Sequence, residues 1–120
     1  MSPRLIYLAG PYRGETESDI YKNIRSAEDY AIKITEEYPG WFAVCPHRNT
    51  AWLGGLQPDE YFLNGTLEMM RACKAILMLP GWESSEGATI ERDEAEMLGI
   101  PVIEYFELYK LDELVEKKLT

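Results

Sequence analysis

The sequence has few cysteines, a single histidine and a shortage of basic residues. Its two cysteines, Cys45 and Cys73, form no CxxC pair, and no Cys/His cluster surrounds the histidine, so we expect neither structural zinc nor a disulfide framework. Twelve lysines and arginines against 21 acidic residues leave a formal charge of −9 over 120 residues. That balance argues against a protein that binds nucleic acid by neutralising phosphates, although a local basic residue can still hold a small anion.

Long apolar runs and cofactor fingerprints are missing as well. The longest apolar run near the N-terminus, Leu5 to Ala9, is too short for a signal peptide or a membrane span, so we expect a cytoplasmic protein without a membrane partner. The glycines after this run read GPYRG rather than GxGxxG, and a P-loop is absent, which argues against NAD oxidoreductases and P-loop ATPases. We predict no cofactor and no metal. Because the sequence contains no repeat, linker or low-complexity segment, residues 1–120 are predicted to form one domain.

What the sequence does contain is an alternation of short apolar runs and helical periodicities. The predicted strands are Arg4–Ala9, Trp41–Cys45, Ala75–Leu79 and Pro101–Tyr105. Four helices are predicted. The first follows the N-caps Ser18 and Asp19 and has one apolar face: Ile20, Ile24, Ala27, Ala31 and Ile34. The second begins at Asp59 with Leu63, Leu67 and Met70 on one face, the third runs from about Gly87 to Leu98, and the last contains Leu108, Leu111, Leu114 and Val115. A connection of about a dozen residues, from Pro46 to Pro58, is long enough to suggest a functional loop.

This alternation predicts a small doubly wound α/β domain of the flavodoxin-like or Rossmann-like kind. Its parallel strands should follow the order 2-1-3-4, with helices on both faces. Ligands of such sheets bind beyond the carboxyl ends of the strands, where the strand order reverses. The loop from Gly10 to Gly14 and the loop from Gly81 to Gly87 should therefore meet at the site. Arg13 could hold a phosphate or carboxylate there, and Ser84 or Ser85 could cap the next helix or bind a ligand.

Glu91 is the most unusual residue of this arrangement. Together with Ala88, Ala95 and Leu98 it forms a stripe that should face the core. A carboxylate in that stripe either has a specific partner or lines a substrate cleft. Alternatively, it lies in the first helical turn, where the helix dipole favours an acid, and points to solvent.

Three segments resemble the nucleoside 2-deoxyribosyltransferase superfamily, which includes the 2′-deoxynucleoside 5′-phosphate N-hydrolases. They are IYLAGPYRG at the first strand, CxAILMLPGWExSxGAxxE from Cys73 to Glu91, and AxxLGIPV near the end. The likeness spans Leu5 to Val102 and fits a small prokaryotic and phage subgroup. It implies cleavage or transfer at the N-glycosidic bond of a nucleoside or nucleoside monophosphate, in a homo-oligomer such as a dimer or tetramer.

The resemblance also implies roles for individual residues. Glu91, four residues after Gly87, would be the nucleophile that attacks C1′, and Tyr7 would orient it. Arg13 and Ser85 would contact a 5′-phosphate. Further substrate-binding residues would be Gly10, Pro11, Tyr12, His47, Gly81, Trp82 and Gly87. The family's usual auxiliary aspartate is replaced here by Thr66, and Asp59, Glu60 or His47 are the candidates to substitute for it.

Two other functions stay open from the sequence. The replacement of the aspartate by Thr66 also suits a module that binds or senses nucleotides without catalysis. A protein that only binds a partner could use Trp41, Trp52 and Trp82 as exposed interface anchors.

Overall fold

All four predicted strands form, and they make one parallel sheet in the order β2-β1-β3-β4. The computed structural model describes residues 2–119, with side chains described up to Val115. The strands are β1 Arg4–Ala9, β2 Trp41–Val44, β3 Ala75–Met78 and β4 Val102–Glu104. The predicted α/β class and strand order are confirmed, and the order reverses between β1 and β3.

The helices lie between and after these strands. They are α1 Glu17–Glu37, α2 Pro46–Asn49, α3 Asp59–Arg71, α4 Glu86–Met97 and α5 Lys110–Leu119. Short 3-10 turns occupy Trp82–Ser84 and Tyr105–Glu107. Among the helices of residues 2–119, none is long and apolar enough to cross a membrane.

The two faces of the sheet carry separate cores because side chains alternate along each strand. On one face, Ile6 and Leu8 of β1 pack with the buried stripe of α1 and with the start of α5. On the other face, Tyr7 and Ala9 pack with α3 and α4. The register pairs Tyr7 with Ile76 of β3, so Tyr7 lies in the centre of the sheet on the face that α3 and α4 cover.

Several predicted boundaries are wrong at the level of single residues. Helix α1 is capped by Thr16 rather than by Ser18 or Asp19: the Thr16 hydroxyl accepts from the amide of Asp19, and the Asp19 carboxylate accepts from the amide of Thr16. Helix α2 replaces the start of the predicted long loop, with Pro46 at its first position. Four residues predicted in strands lie just outside them: Cys45, Leu79, Pro101 and Tyr105.

Two apolar residues are also placed differently from the prediction. Leu98 was expected to face the core, but α4 ends at Met97 and Leu98 is 55% exposed. Trp41 was expected to be an exposed anchor, but it is buried in the α1 side of the sheet, where its indole N–H donates to the carbonyl of Leu111 over 3.3 Å. Trp41 is therefore a core residue and cannot contact a partner.

Candidate active site

A cavity of roughly 720 Å³ opens at the carboxyl ends of β1 and β3, beside the point where the strand order reverses. Its walls come from the loop after β1, helix α2, the start of α3 and the start of α4. Most of the predicted site residues line it: Tyr7, Gly10, Pro11, Tyr12, Arg13, His47, Asp59, Glu60, Thr66, Ser85, Gly87 and Glu91. Its volume lies within the range typical of small-molecule sites.

Gly81 and Trp82 were predicted to contact substrate, but they are not among the residues that line the cavity. The indole N–H of Trp82 donates to Glu104 of β4 over 3.0 Å, and the guanidinium of Arg92 lies 5.2 Å from the centre of the indole ring. The side chain of Trp82 therefore lies between Glu104 of β4 and Arg92 of α4. Gly81 takes a left-handed φ of 83°, which an L-residue rarely adopts.

The floor of the cavity holds a hydrogen-bonded pair, Tyr7 and Glu91. Tyr7 is fully buried and Glu91 is 6% exposed, and the phenol of Tyr7 donates to Oε2 of Glu91. Tyr7 comes from the middle of β1, whereas Glu91 lies in the second turn of α4. The alternative that Glu91 points to solvent at the helix start is therefore wrong. Its carboxylate lies inside the molecule and also faces the cavity.

Burial and hydrogen bonding act on the pair in opposite directions. Burial raises the pKa of Glu91 above its ordinary value, and hydrogen bonds from Tyr7 and Thr66 offset part of that rise. Burial, together with the nearby charge of Glu91, raises the pKa of Tyr7 strongly. The shared proton therefore stays on the phenol, and Glu91 is the acceptor.

Thr66 lies beside this pair on α3. Its hydroxyl donates to the carbonyl of Leu63 over 3.1 Å, and it lies near enough to Tyr7 and Glu91 to lower the pKa of both. A hydroxyl has one hydrogen, so it can donate to only one of these groups at a time, and an ionised carboxylate is the strongest acceptor. Thr66 can thus stabilise an ionised Glu91, but it cannot supply a proton as an acid would.

Arg13 and Asp59 form an ion pair across the mouth of the cavity. The pair joins the loop after β1 to the first residue of α3, and its side chains are 70% and 74% exposed. Hydrogen bonding to Arg13 lowers the pKa of Asp59, and the same contact raises the pKa of Arg13. Asp59 is therefore held as a carboxylate, which makes it a poor proton donor.

His47 is 3% exposed and ties α2 to the loop after β1. Its Nε2 lies 3.2 Å from the carbonyl of Gly10 and 3.0 Å from that of Pro11. Burial lowers the pKa of the ring, so the neutral tautomer with Nε2–H donates to these carbonyls. Its Nδ1 has no hydrogen-bond partner in the described part of the chain. His47 holds the loop in place and has no free proton to give.

The helix that carries Glu91 is positioned by Ser85. The Ser85 hydroxyl accepts from the amide of Ala88 over 3.2 Å, which fixes the start of α4 at Glu86. Ser84 does not cap the helix, because its hydroxyl donates to the carbonyl of Gly81. Gly10 permits the loops to approach: a Cβ there would lie 2.7 Å from Cβ of Leu79.

Most other residues of the cavity carry no sequence motif. Its apolar lining comes from Ile20, Phe62, Leu63 and Ile90, and Glu86 adds another carboxylate at the start of α4. Tyr12 reaches the loop after α2, where its hydroxyl accepts from the amide of Trp52 over 3.2 Å. Tyr12 is predicted from its motif, whereas the other lining residues named here belong to helices and do not stand out in the sequence, so the tertiary structure reveals their place. Within the described residues, no three His, Cys, Asp or Glu side chains come close enough to hold one metal ion.

The same fold occurs in two solved 2-deoxyribosyltransferases. The enzyme from the psychrotolerant bacterium Bacillus psychrosaccharolyticus superposes with a TM-score of 0.59 at 21% sequence identity, over 83% of this chain and 70% of that one. The enzyme from Leishmania mexicana gives a TM-score of 0.60 at 21% identity, over 86% of this chain and 64% of that one. At this level of identity the likeness establishes a common fold.

Residues 4–104 match the family described as "Domain of unknown function (DUF4406)", and the chain belongs to that family. No curated protein matched the sequence.

Proposed function

We propose that the protein cleaves the N-glycosidic bond of a nucleoside, or transfers its ribosyl or deoxyribosyl group, with Glu91 as the nucleophile. The observation that carries this proposal is the Tyr7–Glu91 pair on the floor of the cavity. A buried carboxylate that faces a cavity and is oriented by a phenol has the arrangement needed to attack a sugar carbon. The fold shared with the two 2-deoxyribosyltransferases supports the same reaction class.

In this mechanism, an oxygen of Glu91 attacks C1′ while the bond from C1′ to the base breaks. The charge of Glu91 stabilises the oxocarbenium character of the transition state. Tyr7, through its hydrogen bond to Oε2, fixes the orientation of the carboxylate. Water or a second base then attacks C1′ of the glycosyl ester, and two inversions give overall retention.

Within the same proposal, residues 1–120 act as one nucleoside 2-deoxyribosyltransferase-like domain of the small subgroup named above. Arg13 and Ser85 remain the candidates to contact a 5′-phosphate if the substrate is a monophosphate. Arg13 would first have to leave Asp59. The homo-oligomer and the cytoplasmic location stay predictions.

A second candidate is a module that binds nucleotides without cleaving them. The observation in its favour is Thr66, which lies at the Tyr7–Glu91 pair where the resemblance leads one to expect an acid. In that case Glu91 would only accept hydrogen bonds from a ligand.

The two candidates differ in turnover. Wild-type protein is incubated with a panel of nucleosides and nucleoside 5′-monophosphates, and free base is measured by chromatography. We expect the wild type to release base and Glu91→Gln to release none. Glu96→Gln changes a half-exposed residue of the same helix and should release base like the wild type. Thermal stabilisation by a panel compound without any base release would support the binding module instead. A panel that is neither cleaved nor bound would contradict both candidates.

A further inference from the structure

The cavity is strongly acidic for a site that binds nucleosides. Among the described residues, four carboxylates line it, those of Asp59, Glu60, Glu86 and Glu91, against one guanidinium, that of Arg13, which leaves a formal charge of −3. Arg13 is already paired with Asp59, and neither Glu60 nor Glu86 forms an ion pair within the described residues. A ligand in this cavity therefore meets an excess of negative charge.

The described residues of the cavity also include few proton donors for a leaving base. Thr66 has a hydroxyl instead of a carboxylic acid, and Asp59 is held as a carboxylate by Arg13. His47 donates its Nε2 proton to backbone carbonyls. The phenol of Tyr7 donates to Glu91 and faces the nucleophile. The base of an ordinary nucleoside departs as an anion unless it receives a proton, and proton transfer typically contributes about 10²- to 10⁴-fold to the rate.

Both features suit a base that is already positively charged. Resting on the proposed function, we propose that the preferred substrates are cationic nucleosides, in which the heterocycle bonded to C1′ carries a positive charge. The acidic cavity attracts such a base. The cation leaves as a neutral molecule and needs no proton.

The atoms balance along this route. An oxygen of Glu91 forms a bond to C1′, and the electron pair of the broken C1′–N bond stays on the ring nitrogen and neutralises the base. The oxygen of a water molecule then attacks C1′. The electron pair of the ester bond returns to Glu91, and the proton of the water passes to solvent. The net products are the free sugar, the neutral base and one proton.

The test compares matched pairs of substrates that differ in charge. Nicotinamide riboside is paired with its neutral dihydro form, and 7-methylguanosine is paired with guanosine, each as the riboside and the 2′-deoxyriboside. Release of base is measured by chromatography and divided by the uncatalysed rate of the same compound, because cationic glycosides hydrolyse faster in water. We expect this enhancement to be at least about a hundredfold larger for the cationic member of each pair.

Charge variants test the attraction separately from the leaving group. Glu86→Gln and Glu60→Gln each should raise KM for the cationic compound, relative to its neutral partner, by roughly three- to tenfold. Glu96→Gln makes the same charge change away from the cavity and should leave that ratio unchanged.

Equal or better cleavage of the neutral compounds would overturn this inference and leave the proposed function standing. If the protein cleaves neither the matched pairs nor any compound of the nucleoside and monophosphate panel, the proposed function is overturned, and this inference with it. A preference for nucleoside 5′-monophosphates would also contradict the inference, since a phosphate adds negative charge to an acidic cavity.

Discussion

At the residue scale, the site depends on one buried carboxylate and the phenol that binds it. Tyr7 and Glu91 are separated by 84 positions in the chain, and the sheet and α4 bring them into contact. Burial raises the pKa of Glu91, whereas Tyr7 and Thr66 lower it and so favour the charged form that a nucleophile would need. Folding stability therefore favours the protonated form of Glu91, whereas the proposed activity needs the charged form.

The first prediction concerns the stability of Glu91→Gln. The folded state raises the pKa of Glu91 above 4.5, so the stability that the protonated acid contributes is present below that pH and is lost as pH rises through the folded-state value. Glutamine keeps an acceptor for Tyr7 and carries no charge. The unfolding free energy of Glu91→Gln, relative to wild type, should therefore increase as pH rises above about 4.5, measured by urea unfolding at several pH values.

Glu96→Gln is the matched control because Glu96 lies on the same helix, is half exposed and, among the described side chains, forms its ion pair with Arg92. It should show no comparable change with pH. A constant or shrinking advantage of Glu91→Gln with rising pH would contradict the assignment of Glu91 as a buried charge.

The second prediction concerns the hydroxyl of Tyr7. Tyr7→Phe removes the hydrogen bond that most lowers the pKa of Glu91, so the acid limb of the pH profile of kcat/KM should move to higher pH. If Tyr7 orients Glu91 as proposed, the value of kcat should fall about 10- to 100-fold, with little change in KM. Thr66→Val should shift the limb in the same direction by a smaller amount. An unchanged limb in both variants would mean that neither hydroxyl acts on Glu91.

At the element scale, the start of α4 determines where Glu91 points. Ser85 caps the helix, and Gly87 follows in its first turn and lines the cavity. A Cβ at Gly87 would meet no atom within 4 Å beyond its chain neighbours and the nearby backbone of its own helix, so packing does not require glycine there. Glycine at this position leaves space for a ligand to approach the helix terminus.

The third prediction concerns Gly87, where the fold has space for a side chain but a bound ligand would leave none. Gly87→Ala should keep or raise stability, by at most about 1 kcal/mol, while raising KM for the substrate at least severalfold. Gly65→Ala is the matched control, since Gly65 lies within α3, is absent from the cavity and also has open space at its Cβ. It should gain similar stability and keep wild-type KM. An unchanged KM for Gly87→Ala would show that the ligand does not approach α4.

The sequence predicts these elements unequally. Apolar runs such as Arg4–Ala9 are recognisable because a strand covered on both faces must be apolar throughout. Helix α2 is missed because four residues are too few to show a periodicity. The cap of α1 is assigned to the wrong residue because several polar side chains precede the helix, and only the backbone angles select Thr16.

At the scale of the whole molecule, the strand order brings the site together. The rule that ligands bind where the order of parallel strands reverses predicts which two loops meet, and the cavity lies there. The same rule does not predict the direction of individual side chains. Trp82 turns to Glu104 and Arg13 turns to Asp59 because of local packing and ion pairing between distant segments.

The overall charge of −9 is partly concentrated around the cavity. Composition alone argues against nucleic-acid binding. The structure adds that Asp59, Glu60 and Glu86 surround the cavity, so the acidic character extends to the proposed site. The fold is thus accessible from the sequence, whereas the electrostatic character of the cavity depends on which acids the fold gathers.

A glycosyl ester on Glu91 is the intermediate that most directly distinguishes a nucleophile from a buried structural carboxylate. Wild-type protein is mixed with a substrate from the panel that it cleaves, quenched in acid during turnover, digested and mapped by mass spectrometry. If Glu91 is the nucleophile, the peptide that contains Glu91 gains the mass of the glycosyl group, which is the free sugar less one water, and Glu91→Gln shows neither adduct nor base release. Base release that persists in Glu91→Gln, or an adduct on a different residue, would contradict that role.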